Sequence, residues 1–401
     1  ASSFYGQKSI NLSFLHEGKQ IYGTLQTPKD TGRFTTIIIC PGSGANDRNG
    51  TLPMYGANVQ CLYPALEGDT LRPYKQLAQK LVDSGFAVFR YDKIEYTYPS
   101  NLGTVTFKKL WLPFESAIEF LKTRDEVDPT KFVLIGHSEG SSLIPYVALR
   151  HPEVKGLISL AGARTPFDSI LAFQLRDFAR RCNGDTLSAN AQSSQILQYY
   201  DLVRSGQLTG NSPALFGVSP DVWKQYLDVI DSVSFHYNSC FQKKLFIGLS
   251  NDLNVPIAEL YRFKNEVTAA DFWQLDGLIH YMNPNSDPNV SEQLGDTIVH
   301  WLRNRSLSIH THSDSKHRYE INIYPNPMTE EQSFLQIHTS APEIIDVQVI
   351  DAAGRSIQAS ISPGSIVGQY TLTFLEPLQS GVYGIKLDFK TGVQVLRFIV
   401  N

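Results

Sequence analysis

The chain has 401 residues, with 35 Lys and Arg against 39 Asp and Glu and a formal net charge of −4. Its 42% hydrophobic, 11% aromatic and 18% charged residues exclude disorder as the main state, and four cysteines exclude a disulfide-dense miniprotein. The near-neutral balance offers no basic footprint for nucleic acid or an anionic membrane, and no stretch approaches the ~18 to 20 uninterrupted apolar residues of a membrane span.

In chain order, alternation in Ile10, Leu12 and Phe14, a turn through Glu17-Gly18-Lys19 and a second run from Ile21 to Leu25 predict an antiparallel hairpin. Runs that are apolar on both faces follow at 35–40, 86–91, 132–135, 156–160 and 244–249. Such runs belong in the middle of a parallel sheet. Between them lie helical stripes. Leu71, Tyr74, Leu77, Ala78, Leu81 and Val82 are closed by Gly85; Phe114, Ala117, Ile118 and Leu121 are opened by Pro113; Val290, Leu294, Ile298 and Leu302 form a third. The alternation predicts a doubly wound α/β sheet.

Residues 166–240 interrupt it. They hold stripes such as Ile170, Leu171, Phe173, Leu175 and Phe178 and no convincing strand, so a helical cap above the sheet is expected. The composition then shifts, which divides the chain into a unit at 1–305, a polar His-rich linker at 306–318 and a strand-rich unit at 319–401. Short strands punctuated by Gly354, Gly364, Gly381 and Gly392 predict a small β-sandwich. His310, His312 and His317 could form a weak metal site but read as solvated linker.

The chemistry-bearing motif is Gly136-His137-Ser138-Glu139-Gly140, between the run 132–135 and a helix running to Arg150. A G-x-S-x-G elbow in that context lifts a serine hydroxyl above the sheet edge, where helix N–H groups favour developing negative charge. A base and an orienting acid should follow in the order Ser, Asp/Glu, His. Asp252 stands just past the run 244–249, and His280 just past a short strand at 272–275, where catalytic groups collect in open α/β sheets. Asp276 is the alternative acid. The oxyanion hole is expected from the backbone N–H of Glu139 and from the glycine-rich loop after 35–40, with Ser43 as second donor.

With these residues in place, residues 38–305 resemble the α/β-hydrolase superfamily. PGSGANDRNG, RYDK (90–93) and LIGHSEG resemble bacterial esterases grouped near dienelactone hydrolases and bile-acid-CoA-acyltransferase-like proteins, and DLNVP and GLIH resemble that family's acid and histidine loops. The resemblance implies Ser138 as nucleophile, His280 as general base and then acid, and Asp252 as its orienter. Two stretches depart from it. Ile94-Glu95-Tyr96-Thr97-Tyr98 stands where an Arg-Gly-x-Gly turn usually follows RYDK, and 51–68 is longer than such esterases carry.

The C-terminal motifs INIYPNP (321–327), VIDAAGR, SGVYGIKL and VLRFIVN resemble the sorting domain of the type IX secretion system in Bacteroidota. That resemblance implies export, with release or surface attachment, and the secretion machinery as a partner. The other reading is an accessory β-sandwich with a binding role. Export permits disulfides. Cys182 and Cys240 bracket the cap, so a bridge between them would staple it; Cys40 is expected as a buried thiol unless the Cys61 loop folds back on it, and spacing leaves the pairing open.

The expectation is thus a secreted serine esterase that needs no metal or organic cofactor, with Tyr96 and Tyr98 shaping an apolar or aromatic acyl pocket. A serine peptidase, or a thioesterase or acyltransferase, could use the same triad. From a different class, a surface-binding protein could carry a vestigial hydrolase site.

Overall fold

The computed structural model describes residues 6–99, 112–182, 184–304, 321–324, 328–329, 332–339, 343–351, 355–364, 369–389 and 392–400. They fall into two compact units, one drawn from Ala1–Ser234 with Gln242–Ile309 and the other from Phe235–Phe241 with His310–Asn401. The linker expected at 306–318, with His310, His312 and His317, lies outside the described residues.

The first unit is built on a sheet that begins with the hairpin β1 (Lys8–His16) and β2 (Lys19–Thr27). Glu17 and Gly18 both take positive φ (42° and 78°), the pairing a tight two-residue hairpin turn demands. After β3 (Phe34–Cys40), the two-residue strands β4 (Leu52–Pro53) and β5 (Thr70–Leu71) pair only with each other. The main sheet continues through β6 (Ala87–Tyr91), β7 (Val127–His137), β8 (Val154–Leu160), β9 (Lys243–Leu249) and β10 (Asp271–Leu275). Its eight strands lie in the order β1-β2-β6-β3-β7-β8-β9-β10. From β6 to β10 all neighbours are parallel, while β1 and β2 form an antiparallel edge.

Every residue of β6 is buried, as a strand covered on both faces requires. On one face Ile37, Ile39, Val88, Val133 and Ile135 pack against Leu77 and Leu81 of the helix Pro73–Asp83 and Leu294 and Ile298 of the helix Glu292–Asn304. Those are the stripes legible in the sequence. Burying such faces removes roughly 1.5–3 kcal/mol per large aliphatic side chain from exposure to water.

The cap comprises the helices Phe167–Arg181, Thr186–Arg204 and Pro220–Ile230. Arg204 joins all three, donating to Asp168 and to Asp231. Phe167, Tyr200, Trp223 and Tyr226 pack, mostly edge to face, into one aromatic cluster inside it.

The disulfide corrects the sequence expectation. Cys61 pairs with Cys182, while Cys40 and Cys240 are buried thiols. Cys61 sits on the short helix Ala57–Leu62 within the long segment after β3, and Cys182 caps the first cap helix. That segment folds across the molecule: Met54, Tyr63 and Leu66 pack on Ile279, with Leu253 and Tyr281 against the same cluster. Proximity in space overrode the bracketing of the cap. Closing a loop of 121 residues, the bridge should stabilise the fold by about 5 kcal/mol in the chain-entropy view. The double variant Cys61→Ser/Cys182→Ser is expected to melt roughly 8 °C lower, read by calorimetry. An unchanged melting temperature would remove the bridge from the stability account.

The second unit carries two four-stranded antiparallel sheets. One runs β11 (Ile321–Tyr324), β12 (Phe334–Thr339), β16 (Gln369–Phe374), β15 (Ala359–Pro363). The other runs β14 (Ser356–Ile357), β13 (Asp346–Asp351), β17 (Gly381–Phe389), β18 (Gly392–Val400). Leu335, Ile337 and Leu372 from the first share one core with Val349, Ile385 and Phe398 from the second, which makes a β-sandwich.

Candidate active site

Ser138 sits between β7 and the helix Glu139–Ala148, with φ 54° and ψ −122°. A serine in that backbone conformation is strained by about 1–3 kcal/mol, and its neighbours hold it there. A Cβ on Gly136 would lie 2.4 Å from the Gly140 carbonyl oxygen, and a Cβ on Gly140 2.4 Å from that of Cys40. Both glycines are therefore required by the close approach of strand, turn and helix. The Ser138 amide donates to Leu160 on β8 (2.9 Å), leaving the helix N-terminus beginning at Glu139.

Asp252 follows β9 and His280 follows β10. The Asp252 carboxylate receives His280 Nδ1 on Oδ2 at 2.7 Å and the amides of Asn254 and Val255 on Oδ1, each at 2.8 Å. Both side chains are buried. With Nδ1 donating to the carboxylate, Nε2 is the free imidazole nitrogen. Asp276 is not part of this pair; it receives Gln274 Nε2 at 2.6 Å.

The His280 loop is tied to the elbow through His137. A carbonyl only accepts, so the 2.9 Å bond to the His280 carbonyl makes His137 Nε2 the donor. Nδ1 of the neutral ring then accepts from Tyr74, 2.9 Å away, and the Tyr74 hydroxyl in turn accepts from the Gly42 amide at 3.0 Å. This chain joins the histidine loop, the strand leading to Ser138 and the glycine-rich loop after β3. Gly42 lies so close that an added Cβ would stand 3.1 Å from Ser138 Cβ.

Burial, reinforced by the neighbouring His280, holds the His137 imidazole well below its ordinary value. The unfolded chain accepts a proton there below about pH 6.5, which the folded chain does not. Stability from this group is thus present above that pH and is lost as pH falls through the depressed folded value. His137→Gln is expected to flatten the acid limb of the stability curve by up to about 1.4 kcal/mol per pH unit, measured by urea unfolding between pH 5 and 7.5. An unaltered slope would deny that His137 stays neutral.

Two families match the chain. Residues 113–219 match the BAAT / acyl-CoA thioester hydrolase C-terminal family, and residues 322–401 match the secretion system C-terminal sorting domain. The sheet order and the strand–serine–helix turn accompany the first match. The first unit has the α/β-hydrolase fold. The second is a secretion sorting domain, so the protein is secreted or carried at the cell surface by the type IX machinery.

Esterase EstD of Thermotoga maritima is 27% identical over 155 residues, covering 38% of this chain and 33% of its own length. The chain thus spans about a third of the curated relative it matches. Among solved structures, Est1E from Butyrivibrio proteoclasticus aligns at 15% identity and a TM-score of 0.47, over 73% of this chain and 98% of that one. The acylaminoacyl peptidase of Pyrococcus horikoshii aligns at 12% identity and a TM-score of 0.46, over 74% and 41%.

In this unit Ser43 is exposed in the loop after β3, beside Gly42. Tyr96 is exposed at 52%. Tyr98 is held by β2: its hydroxyl donates to the Gln20 carbonyl (3.0 Å) and Lys19 Nζ lies 5.0 Å from its ring centre. An aromatic group next to the Ser138 turn comes from the cap, where Tyr226 donates to Glu139 Oε1 at 2.7 Å. Sequence reasoning missed Tyr74, Lys93 and Tyr226. Lys93 alone had a signal, the RYDK motif; the other two look like ordinary apolar-stripe residues.

Proposed function

We propose that this secreted hydrolase cleaves carboxylic esters through a Ser138–His280–Asp252 triad. The bonded Asp252–His280 pair, tied by His137 to the strained Ser138 turn, is the observation that carries the reading. His280 Nε2 takes the Ser138 proton as Oγ bonds to the acyl carbon, and the carbonyl electron pair moves onto oxygen. The N–H groups of Glu139 and Ser43 receive that oxyanion. Collapse expels the alcohol, protonated by His280. Water, deprotonated by the same nitrogen, then releases the acid and restores Ser138.

The helix N-terminus opening at Glu139 adds favourable field for the developing charge. The Asp252 carboxylate fixes the imidazole tautomer and stabilises the imidazolium formed in each half-reaction. A second reading, acyl-thioester cleavage on the same triad, is favoured by the family match at 113–219. Hydrolysis of p-nitrophenyl esters from acetate to palmitate, compared with acyl-CoA thioesters and peptide p-nitroanilides, decides among them. Highest kcat/KM on oxygen esters supports the reading. Highest kcat/KM on thioesters or anilides overturns it.

A further inference from the structure

We propose that Lys93 is a positioning residue that sets both arms of the oxyanion hole, an inference resting on the serine-hydrolase reading above. Lys93 follows β6 and is buried, with its side chain only 6% exposed. An ammonium is rarely taken out of water unless its three donors are matched. Here its Nζ donates to the Gly42 carbonyl at 3.1 Å, meets Glu139 Oε2 at 3.1 Å and lies 3.4 Å from Glu95 Oε1.

The Gly42 carbonyl belongs to the same peptide unit as the Ser43 N–H. A trans peptide points these two groups in opposite directions. Gripping the carbonyl from behind therefore aims the Ser43 N–H away from Lys93, and the ammonium charge polarises that N–H as a donor. Asn46 Nδ2 reinforces the grip at 3.0 Å from the same carbonyl, and the Lys93 amide donates to the Asn46 carbonyl at 3.0 Å.

The other end of the bridge is Glu139, whose own N–H is the second arm. One cation thus binds the carbonyl of the Gly42–Ser43 peptide and the carboxylate of Glu139, the two units whose Ser43 and Glu139 amides must converge. Tyr226 holds the remaining Glu139 oxygen from the cap at 2.7 Å. A side chain at Gly42 would crowd the elbow, because a Cβ would stand 3.1 Å from Ser138 Cβ. The loop therefore has no side chain of its own at that position with which to set its amide, and the setting comes from Lys93.

The test compares wild type with Lys93→Met and with Lys93→Met/Glu139→Gln, which removes both charges of the closest pair and so avoids stranding the Glu139 carboxylate. Folding is checked by circular dichroism. For the folded variants, kcat is expected to fall about 10- to 100-fold with KM within about threefold, somewhat less than outright loss of an oxyanion donor. Affinity for an alkyl boronic acid, which mimics the tetrahedral intermediate on Ser138, should fall by the same factor as kcat.

A folded variant that keeps kcat within threefold of wild type overturns the proposal. So does a loss of kcat without a matching loss of boronate affinity, which a merely structural lysine would produce. A fluorophosphonate is applied to the same preparations. Wild type that fails to label at Ser138 would overturn the serine reading itself, whereas labelling with undiminished Lys93 variants overturns the positioning role alone.

Discussion

Ser138→Ala is expected to lower ester turnover by at least about 10⁴-fold, with substrate binding nearly intact. The size follows from losing covalent catalysis altogether: without Oγ there is no acyl-enzyme, and only field effects at the helix N-terminus and amide donors remain. Ser138 is held by backbone contacts around Gly136 and Gly140 rather than by its own side chain, so alanine leaves the turn in place. Mass spectrometry gives the cleanest check. Wild type should gain one fluorophosphonate adduct and the variant none, alongside the loss of p-nitrophenyl ester hydrolysis. Turnover equal to wild type in the variant would sink the assignment of Ser138.

Asp252→Asn is expected to reduce kcat by about 10⁴-fold near neutral pH, by the tautomer argument. Asp252 spends Oδ1 on the amides of Asn254 and Val255, so that position must be an acceptor. An asparagine placing its oxygen there turns its NH₂ towards His280 Nδ1. The imidazole then keeps its proton on Nε2, where it can no longer accept the one from Ser138. The loop should retain its shape, because both amide bonds survive. Steady-state kinetics with a thermal melt separates the two effects: kcat collapses while the melting temperature moves little. A variant within tenfold of wild type would transfer the orienting role elsewhere, and Asp276 lies on the surface beside Gln274 instead.

Glu139 has two duties at adjacent atoms. Its amide stands at the helix N-terminus beside Ser138, while its carboxylate closes a buried bridge between Lys93, just past β6, and Tyr226 of the cap. That coupling ties the cap to the turn at Ser138. Gln174 ties the cap to the acid loop as well, donating to the Asn254 carbonyl at 2.9 Å. The cap is therefore bonded to the loops on both sides of the proposed triad.

What the sequence by itself determined was the material with local signatures. The β3, β6, β7, β8 and β9 runs are apolar on both faces, which only a covered parallel sheet tolerates. The Gly136 to Gly140 turn announced itself because close backbone approach leaves no room for a Cβ, a demand met within five residues. Asp252 and His280 were legible because each lies just beyond a strand end. The sorting domain was legible in consecutive motifs along its strands.

Only the tertiary structure decided the rest. The Cys61–Cys182 bridge joins residues 121 apart, and nothing in their spacing favours it over a bridge across the cap. Tyr98 reads as a residue of the pocket mouth, yet its hydroxyl is spent on the Gln20 carbonyl of β2. Tyr74 fits an amphipathic stripe and packs as one, while its phenolic oxygen alone reaches His137 and Gly42. Lys93 meets Gly42 and Glu139 from positions about fifty residues away on either side. Short-range sterics and periodicity are written into neighbouring residues. Polar bonds and disulfides between distant segments depend on where folding brings their atoms, to within a few tenths of an ångström.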